Sequence, residues 1–236
     1  MVNINKKVLV SDYDQTFYLN DEDIEINKKA VHKFRQEGNI FIIATGRSYF
    51  DFHNRVDMYN FEYDYVIINH GATILDKNDN VFSNFYINNN IIKNIKKDLK
   101  LDKSIKSFCC SKLESRVSFE HNNLTKINVR YDTKEEAMYI NEFINNKYHE
   151  YVNSYYVTEN SLEIISNETN KSNAINLLLD RLDILKENVY TIGDGYSDIE
   201  MIKDFNGCAM VNSVDELKEV TTKKYKSVSD LIYQII

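Results

Sequence analysis

The chain contains five short, largely apolar runs, and this feature most constrains what it can fold into. Most of the runs are separated from the next by a segment of helical length with apolar residues at helical spacing. Continuous apolar runs of this length are typical of strands buried on both faces of a sheet. Their alternation with helices predicts an α/β fold, a Rossmann-like doubly wound parallel sheet. The predicted strands are residues 7–12, 40–44, 65–68, 189–192 and 208–211.

The pattern changes in the middle of the chain. A hairpin is predicted at residues 73–86, and beyond it strands and helices alternate in an order that favours antiparallel pairing. The predicted elements there are helices at 89–99 and 134–148 and strands at 116–120, 126–131, 151–157 and 161–165. The first pattern then resumes with a helix at 171–182. The sequence therefore predicts an α+β domain at 82–166, inserted into a core made of 1–81 and 167–236.

Composition excludes several classes of function. The 236 residues carry 29 basic and 36 acidic side chains, a net charge of −7, and no block of Lys and Arg, so a nucleic-acid partner is not expected. No apolar stretch approaches the length that crosses a bilayer, and the amino terminus does not resemble a signal peptide. Three cysteines, two of them adjacent, do not form a disulfide framework. We expect a cytoplasmic protein in a reducing compartment.

Polar clusters follow the predicted strands at the point where each strand ends. Ligands of open parallel sheets bind at the carboxyl ends of the strands, so these residues are the candidates for a site. A solvated turn would explain one acidic loop, but here a second acidic loop follows a later buried run. The clusters are Asp12, Asp14 and Thr16; Thr45, Gly46 and Arg47; Asn69; and Asp194, Ser197 and Asp198.

Carboxylates brought together at this edge indicate a divalent cation. Asp12, Asp194 and Asp198 would repel one another and raise one another's pKa unless a cation lay among them. Oxygen ligands suit Mg²⁺, and the five histidines and three cysteines show no zinc-like spacing. A magnesium site of this kind commonly works on a phosphate group, for which Lys171 and Thr45 are available as partners.

Four segments, in this order, resemble the motifs of the haloacid dehalogenase (HAD) superfamily. The insertion between the second and third motifs is similar to the type C2B cap of the subclass known as Cof-like phosphatases. Residues 69–72, Asn-His-Gly-Ala, and 209–212, Ala-Met-Val-Asn, are also similar to that subclass. The resemblance spans the whole chain. The four motif segments are residues 12–16, residues 45–47, Lys171 and residues 193–198.

The resemblance implies phosphoryl transfer through an aspartyl phosphate. Asp12 would be the nucleophile, and Asp14 the general acid and then the general base. An aspartate at position 14 favours a phosphatase or phosphomutase over a dehalogenase or a transport ATPase. Thr45, the Gly46 N–H and Lys171 would bind phosphate oxygens. The implied Mg²⁺ ligands are Asp12, the backbone carbonyl of Asp14, Asp194 and, through supporting contacts, Asp198.

Four further residues are weaker candidates for substrate contacts. Arg47 could reach phosphate or an acidic group of the substrate, or could equally cap the next helix. Asn69 belongs to the segment before the cap and Asn212 to the segment after the fourth motif. Ser197 stands where the family has an asparagine, and its hydroxyl is shorter.

Other positions carry a structural interpretation or depart from the family pattern. Gln15 and Val211 each stand where the family has glycine, a change that could shift the local backbone. A lone histidine is more often a structural hydrogen-bonding group than a base, and we interpret His70 in this way. The tyrosines of the cap are expected mainly to pack strands, with sugar stacking as the less favoured alternative. Glu163 receives no role.

The sequence favours a Mg²⁺-dependent phosphomonoester hydrolase acting on a small phosphorylated metabolite, a sugar phosphate by resemblance. A phosphomutase would use the same nucleophile and return the phosphoryl group to a sugar. A non-catalytic sensor of a phosphorylated ligand is a second alternative, supported by Ser197 and opposed by the intact Asp12, Asp14 and Lys171. A glycosyltransferase with an Asp-x-Asp motif is weaker, because the other motifs would then be coincidental. The sequence indicates no membrane and specifies no protein partner.

Overall fold

The computed structural model describes residues 6–157 and 160–236. Residues 1–5, at the start of the predicted core, and residues 158–159, within the predicted cap, lie outside the described residues. The strands of the described chain are β1 (Val8–Ser11), β2 (Ile40–Ala44), β3 (Tyr65–Ile68), β4 (Thr73–Asp76), β5 (Val81–Asn84), β6 (Ser104–Ser111), β7 (Glu114–Val117), β8 (Lys126–Tyr131), β9 (Val152–Val157), β10 (Ser161–Ser166), β11 (Val189–Gly193), β12 (Asn206–Met210) and β13 (Lys224–Tyr225).

The described chain has eight α-helices, seven of them between strands and the last after β13. They are α1 (Asp21–Gln36), α2 (Tyr49–Tyr59), α3 (Asn89–Asp98), α4 (Lys134–Tyr148), α5 (Lys171–Leu182), α6 (Ile199–Asp204), α7 (Asp215–Val220) and α8 (Val228–Ile235). Within the described residues, none of the helices combines the length and the apolar character needed to cross a membrane.

Eight strands form the core sheet, in the order β13-β12-β11-β1-β2-β3-β4-β5. β1 lies in the interior of the sheet and pairs in parallel with β2 on one side and β11 on the other. The loops that follow these three strands therefore meet at one edge. β4 and β5 extend the sheet by antiparallel pairing. The predicted α/β fold with a parallel-sheet core is confirmed.

The core strands are apolar throughout because helices cover both faces of the sheet. Successive side chains of a strand point to opposite faces. Leu9 accordingly packs in a cluster with side chains of α1, α2 and α8, whereas Val8 and Val10 pack with α5, α6 and α7 on the other face. A strand buried on both faces has no polar side, which explains the uninterrupted apolar runs of the sequence.

The inserted region forms a second sheet of five strands, in the order β7-β6-β8-β10-β9, and all its pairings are antiparallel. One face packs on α3 and α4, where Ile127, Val129 and Ile164 of the sheet meet Ile95 and Ile140 of the helices. The opposite face is turned toward the core. The predicted α+β character of the insertion is confirmed.

Sheet membership changes close to the predicted domain boundaries. β5 extends to Asn84 and still pairs with β4 in the core sheet, so the core sheet ends slightly beyond the predicted start of the cap at residue 82. The cap sheet ends with β10 at Ser166, next to the predicted return to the core at residue 167. The division into 1–81, 82–166 and 167–236 stays a prediction.

Both connections between core and cap attach to the turn after β3. Asn69, His70 and Gly71 have φ angles of 51°, 56° and 112°, so three successive residues adopt left-handed conformations. On the way into the cap, the Phe85 N–H donates to the Ala72 carbonyl at 2.8 Å. On the way out, the Thr169 hydroxyl donates to the Gly71 carbonyl at 3.0 Å.

Several elements differ from the sequence prediction for local reasons. The sequence predicts a helix from Glu25 to Glu37, but α1 begins at Asp21, because the Asn20 side chain accepts hydrogen bonds from two N–H groups of the first turn. β6 was not predicted, because most of its first five side chains are exposed and show no apolar alternation. The strand predicted at 116–120 occurs two residues earlier, as β7, where it forms a hairpin with β6.

The buried Asn27 side chain of α1 connects the loop after β1 to α8, and this connection can be tested. Its amide donates to the Phe17 carbonyl at 2.9 Å, and its oxygen accepts from the Ser229 N–H at 2.8 Å. Asn27→Ala would leave both backbone groups buried without a partner, so we expect the free energy of unfolding to fall by about 2–4 kcal/mol. Urea unfolding measures this change.

The matched control is Asn54→Ala, which removes an exposed asparagine from α2. This change should alter the free energy of unfolding by less than about 0.5 kcal/mol. Equal effects of the two substitutions would contradict the role of Asn27.

Candidate active site

The loops after β1, β2 and β11 line a cavity of about 650 Å³ between the core and the cap. Asp12 and Asp14 follow β1, residues 45–47 follow β2, and Asp194 follows β11. Lys171 is the first residue of α5, and the preceding side chain, Asn170, caps this helix. The four predicted motif segments are thus brought to one site, although they lie far apart in the sequence.

A buried lysine joins two of the loops. The Lys171 ammonium donates to Asp12 Oδ1 at 2.6 Å and to Asp198 Oδ1 at 2.7 Å, and its side chain is only 2% exposed. Burial alone would lower the pKa of Lys171, but the charges of Asp12 and Asp198 outweigh it and raise that pKa. The lysine therefore stays charged and holds both carboxylates in place.

Asp194 completes a group of three carboxylates. The Thr16 hydroxyl donates to Asp194 Oδ1 at 2.7 Å, which ties the loop after β1 to the loop after β11. Burial, reinforced by the charge of Asp198, raises the pKa of Asp194 to about 6. Burial also raises the pKa of Asp12 well above its usual value, against the opposing effect of Lys171.

The carboxylate group has the chemistry of a divalent-cation site. Oxygen atoms of Asp12, Asp194 and Asp198 lie within 4.8 Å of one another. Burial is the main cause of the raised pKa values of Asp12 and Asp194, and the neighbouring carboxylates add to it. Three carboxylates face the ammonium of Lys171, so negative charge is in excess. Hard oxygen ligands with surplus negative charge fit Mg²⁺.

Asp198 is fixed by the backbone as well as by Lys171. Its Oδ2 accepts hydrogen bonds from the N–H groups of Asp194 at 3.1 Å and Gly195 at 2.9 Å. A Cβ atom on Gly193 would lie 2.5 Å from Asp198 Cγ, so glycine is needed there for the carboxylate to approach the strand end. Both oxygens of Asp198 are engaged by the protein, which suits a residue that orients Lys171 and the loop.

The predicted phosphate-binding segment after β2 is tightly held. Thr45 is buried, and its hydroxyl oxygen accepts the N–H of Arg47 at 3.1 Å. The Thr45 carbonyl accepts the N–H of His70 at 3.0 Å, and the Arg47 carbonyl accepts the N–H of Asn69 at 2.9 Å. These bonds fix the segment against the left-handed turn after β3.

Arg47 forms an ion pair with Asp14. Its guanidinium donates from Nε to Asp14 Oδ2 at 2.8 Å and from Nη2 to Asp14 Oδ1 at 2.6 Å. The guanidinium also lies over the ring of Tyr13, 5.4 Å from its centroid. Arg47 therefore lines the cavity and contacts a motif residue, rather than only capping α2.

Of the four weaker candidates, Arg47 and Ser197 line the cavity, whereas Asn69 and Asn212 do not. Ser197 lies on the wall near Asp194. Asn69 is buried, and its amide donates to Thr125 Oγ1 at 3.4 Å. Asn212 is directed to the loop after β1, and its amide donates to the Gln15 carbonyl at 3.0 Å. Their roles in binding a substrate stay predictions.

Gln15 keeps the backbone shape that a glycine would adopt. Its φ angle is 61°, in the left-handed region, and its N–H donates to the Tyr18 carbonyl at 2.9 Å. A non-glycine residue in this region costs roughly 1 kcal/mol. The loop thus retains its conformation at a modest energetic cost. Val211, the other such departure, is half exposed at the surface.

The sequence-based interpretation assigned no role to three residues near the cavity. Thr16 belongs to the first motif, and its place after two aspartates could have indicated its contact with Asp194. Glu163 interrupts the apolar run of β10, and a buried ionisable residue in such a run is a sign of function. Lys126, at the first position of β8, gives no such signal.

Comparison with protein families decides the classification. The family model for haloacid dehalogenase-like hydrolases matches residues 9–123 and 107–231, which together cover most of the chain. The chain belongs to this family. The predicted membership of the HAD superfamily, in its Cof-like phosphatase branch, is confirmed, and with it the prediction that the protein is a phosphatase enzyme.

Individual relatives agree with this HAD-family assignment. A 5-amino-6-(5-phospho-D-ribitylamino)uracil phosphatase of Bacillus subtilis is 26% identical, over 92% of this chain and 88% of its own. A haloacid dehalogenase-like hydrolase from B. subtilis has a similar fold, with a TM-score of 0.83, 17% identity, and coverage of 98% of this chain and 100% of its own. A phosphatase of this superfamily from Bacteroides thetaiotaomicron gives a TM-score of 0.78, 19% identity, and coverage of 99% and 95%.

The crowding of carboxylates predicts how the stability of the metal-free protein depends on pH. Since the pKa of Asp194 is about 6 in the folded protein and 3.8 ordinarily, the folded state holds a proton that the unfolded chain has released between these values. Stability is therefore lost as pH rises through this window. Asp194→Asn removes the titration, so the variant should be more stable than wild type at pH 7 by about 1–3 kcal/mol.

Denaturant unfolding in chelator across the pH range measures this difference, which should shrink towards about pH 4. Asp180→Asn, on the exposed face of α5, is the control and should show no such trend. A difference between Asp194→Asn and wild type that stays constant with pH would contradict the assignment.

Proposed function

We propose that this protein is a Mg²⁺-dependent phosphomonoester hydrolase that acts on a small phosphorylated metabolite through an aspartyl phosphate. The observation that carries this proposal is the buried Lys171, whose ammonium is hydrogen-bonded to both Asp12 and Asp198. A nucleophilic carboxylate next to a fixed positive charge suits the transfer of a dianionic phosphoryl group.

The first half of the reaction is the transfer of the phosphoryl group to Asp12. A carboxylate oxygen of Asp12 forms a bond to phosphorus while the bond from phosphorus to the ester oxygen breaks. Lys171 offsets negative charge on the carboxylate and on the phosphoryl oxygens. Thr45 and the Gly46 N–H bind those oxygens on the other side.

The second half releases phosphate and restores Asp12. In the first half, Asp14 in its protonated form gives its proton to the leaving alkoxide. In the second half, the Asp14 carboxylate accepts a proton from a water whose oxygen bonds to phosphorus, while the bond from phosphorus to the Asp12 oxygen breaks. Both oxygens of Asp14 are bonded to Arg47, so this ion pair must separate before Asp14 can exchange a proton with the substrate. Arg47 is thereby freed to contact the phosphoryl group or another acidic group of the substrate.

Mg²⁺ would be held by Asp12, the Asp14 carbonyl and Asp194, with Asp198 in support. When bound, the ion supplies positive charge that screens the phosphoryl group from the carboxylates. The proximity of the three carboxylates and the raised pKa of Asp194 support this ligand set.

A small phosphate ester with a polar body fits the cavity. The cap contributes Phe108 and Tyr155 as aromatic walls, and Tyr155 lies 5.2 Å from the His70 ring. The B. subtilis relative is named for a phosphate ester of a ribityl chain, which supports a sugar or sugar-alcohol phosphate as the substrate class. Cap residues on this wall would set the choice among such esters.

The expected setting of the enzyme follows from composition and burial. The net charge of −7 supports the absence of a nucleic-acid partner. The three cysteines are free and buried, which supports a reducing, cytoplasmic compartment.

Loss of the nucleophile gives the first test. Purified protein with Mg²⁺ is screened for phosphate release from a broad panel of phosphorylated metabolites. Asp12→Asn should lower the rate at least about a thousandfold on every substrate that the wild type hydrolyses, because no aspartyl phosphate forms. Asp57→Asn, exposed on α2, is the matched control and should leave the rate unchanged. Activity that persists in Asp12→Asn would refute the nucleophile.

Removal of the metal gives the second test. Chelator should abolish phosphate release, and added Mg²⁺ should restore it. Mg²⁺ should also raise the melting temperature of the wild type more than that of Asp194→Asn, because a ligand that binds only the folded state stabilises it. An equal shift in both proteins would exclude Asp194 as a ligand.

Product analysis separates the hydrolase from its alternatives. Release of inorganic phosphate supports a hydrolase, whereas formation of a sugar-phosphate isomer without phosphate release would indicate a phosphomutase. Binding of phosphate esters with no turnover of any of them would indicate a sensor.

A further inference from the structure

A buried ion pair of the cap touches the phosphate-binding segment of the core. The Lys126 ammonium donates to the Gly46 carbonyl at 2.5 Å and to Glu163 Oε1 at 2.8 Å. The other oxygen of Glu163 accepts from His70 Nε2 at 2.6 Å. The side chains of Lys126, His70 and Glu163 are 3%, 5% and 11% exposed. We call these three residues the bridging cluster.

The cap sheet directs this cluster at the core by its register. Glu163 of β10 lies opposite Asn128 of β8, and Lys126 is two residues from Asn128, so all three side chains share one face. The Asn128 amide also donates to Glu163 Oε1, at 2.8 Å. The intervening Ile127 belongs to the other face, which packs on the cap helices. A shift of register by one residue would exchange these faces.

The charges of the cluster compensate one another inside the protein. Burial would raise the pKa of Glu163, but the charge of Lys126 and the hydrogen bond from His70 hold it well below its usual range. Burial lowers the pKa of His70, so its neutral ring donates from Nε2 and leaves Nδ1 without a proton. His70 Nδ1 has no hydrogen-bond partner within the described structure.

The bond to Gly46 acts on one peptide unit. The carbonyl of Gly46 and the N–H of Arg47 belong to the same planar peptide group and point in opposite directions. With the carbonyl held by Lys126, the N–H is directed to Thr45 Oγ1, which it reaches at 3.1 Å. The Thr45 oxygen thus accepts a bond from the backbone, and its own hydroxyl proton is available to a phosphate oxygen.

The cluster also packs directly on Gly46. A Cβ atom at this position would collide with the imidazole ring of His70 and lie 3.2 Å from Glu163 Oε2. Only a glycine allows the cluster and the segment to approach this closely. The peptide between Gly46 and Arg47 is therefore restrained both by contact and by a charge-assisted hydrogen bond.

We propose that Lys126 is a positioning residue: from the cap, it orients the Gly46–Arg47 peptide so that the Thr45 hydroxyl is presented to the phosphoryl group. This inference rests on the proposed phosphatase function and adds a link between the cap and phosphate binding. Lys126 acts through Thr45 and does not itself need to touch the substrate.

A double-mutant cycle between Lys126 and Thr45 tests this link. The single variants are Lys126→Met, which keeps length without charge, and Thr45→Val, which keeps shape without the hydroxyl. The readouts are kcat/KM for p-nitrophenyl phosphate and the inhibition constant of inorganic phosphate. Lys126→Met should lower kcat/KM about tenfold to a hundredfold and weaken phosphate inhibition by a similar factor.

In the Thr45→Val background, the same Lys126→Met substitution should change both readouts less than about twofold, because its effect passes through the missing hydroxyl. If the two effects instead multiply, Lys126 acts independently of Thr45, by contacting the substrate or by holding the cap closed, and the inference is overturned.

Two controls keep the result interpretable. Lys96→Met removes an exposed cap lysine that pairs with Glu120, and it should leave both readouts unchanged. Lys126→Met combined with Glu163→Gln removes both buried charges and so avoids an unpaired carboxylate that could unfold the cap. This folded double variant should show the same weakening of phosphate inhibition, and wild-type inhibition in it would also overturn the inference.

Measurements on the wild-type enzyme show whether the proposed function or only the inference about Lys126 is wrong. If it neither hydrolyses phosphate esters nor binds inorganic phosphate, the proposed function is wrong and the inference falls with it. If it is active while Lys126 and Thr45 act independently, only the inference is wrong.

Discussion

A single buried ammonium, that of Lys171, is the contact on which the arrangement of the site depends. It bonds at once to Asp12 at the end of β1 and to Asp198 after β11, and so connects two loops separated by most of the sequence. Removing a charged partner from such a group leaves uncompensated buried charge, which is strongly unfavourable. The position of Lys171 depends in turn on the start of α5, where Asn170 caps the helix. The start of α5 and the loops after β1 and β11 therefore form one structural unit, held together by the charges of Lys171 and its two carboxylates.

Much of this unit could be predicted from the sequence because its signals are local. A strand buried on both faces must be apolar, so Val8, Leu9 and Val10 mark β1, and Asp12 marks its end. Parallel pairing then brings the end of β11, and with it Asp194, to the same edge. Lys171 is predicted by its place at the start of a helix together with the family resemblance. The confirmed α/β core and inserted α+β cap follow from the same periodicity.

The remainder depends on contacts that no local pattern specifies. The pair of His70 and Glu163 joins residues 93 positions apart, and it forms only when a particular register places Glu163 on the inner face of the cap. The ion pair of Asp14 and Arg47 depends on how two loops approach each other across the sheet edge. β6 was not predicted because side chains such as Lys106 are exposed and carry no apolar signal.

The left-handed turn after β3 has a mechanical consequence. Both chain crossings between the domains are hydrogen-bonded to adjacent carbonyls, those of Gly71 and Ala72, so core and cap share one narrow pivot. Rotation about a pivot moves distant points through long arcs and nearby points hardly at all. A rotation of the cap about this point would therefore move the aromatic wall of the cavity far, and the strand ends of the core very little.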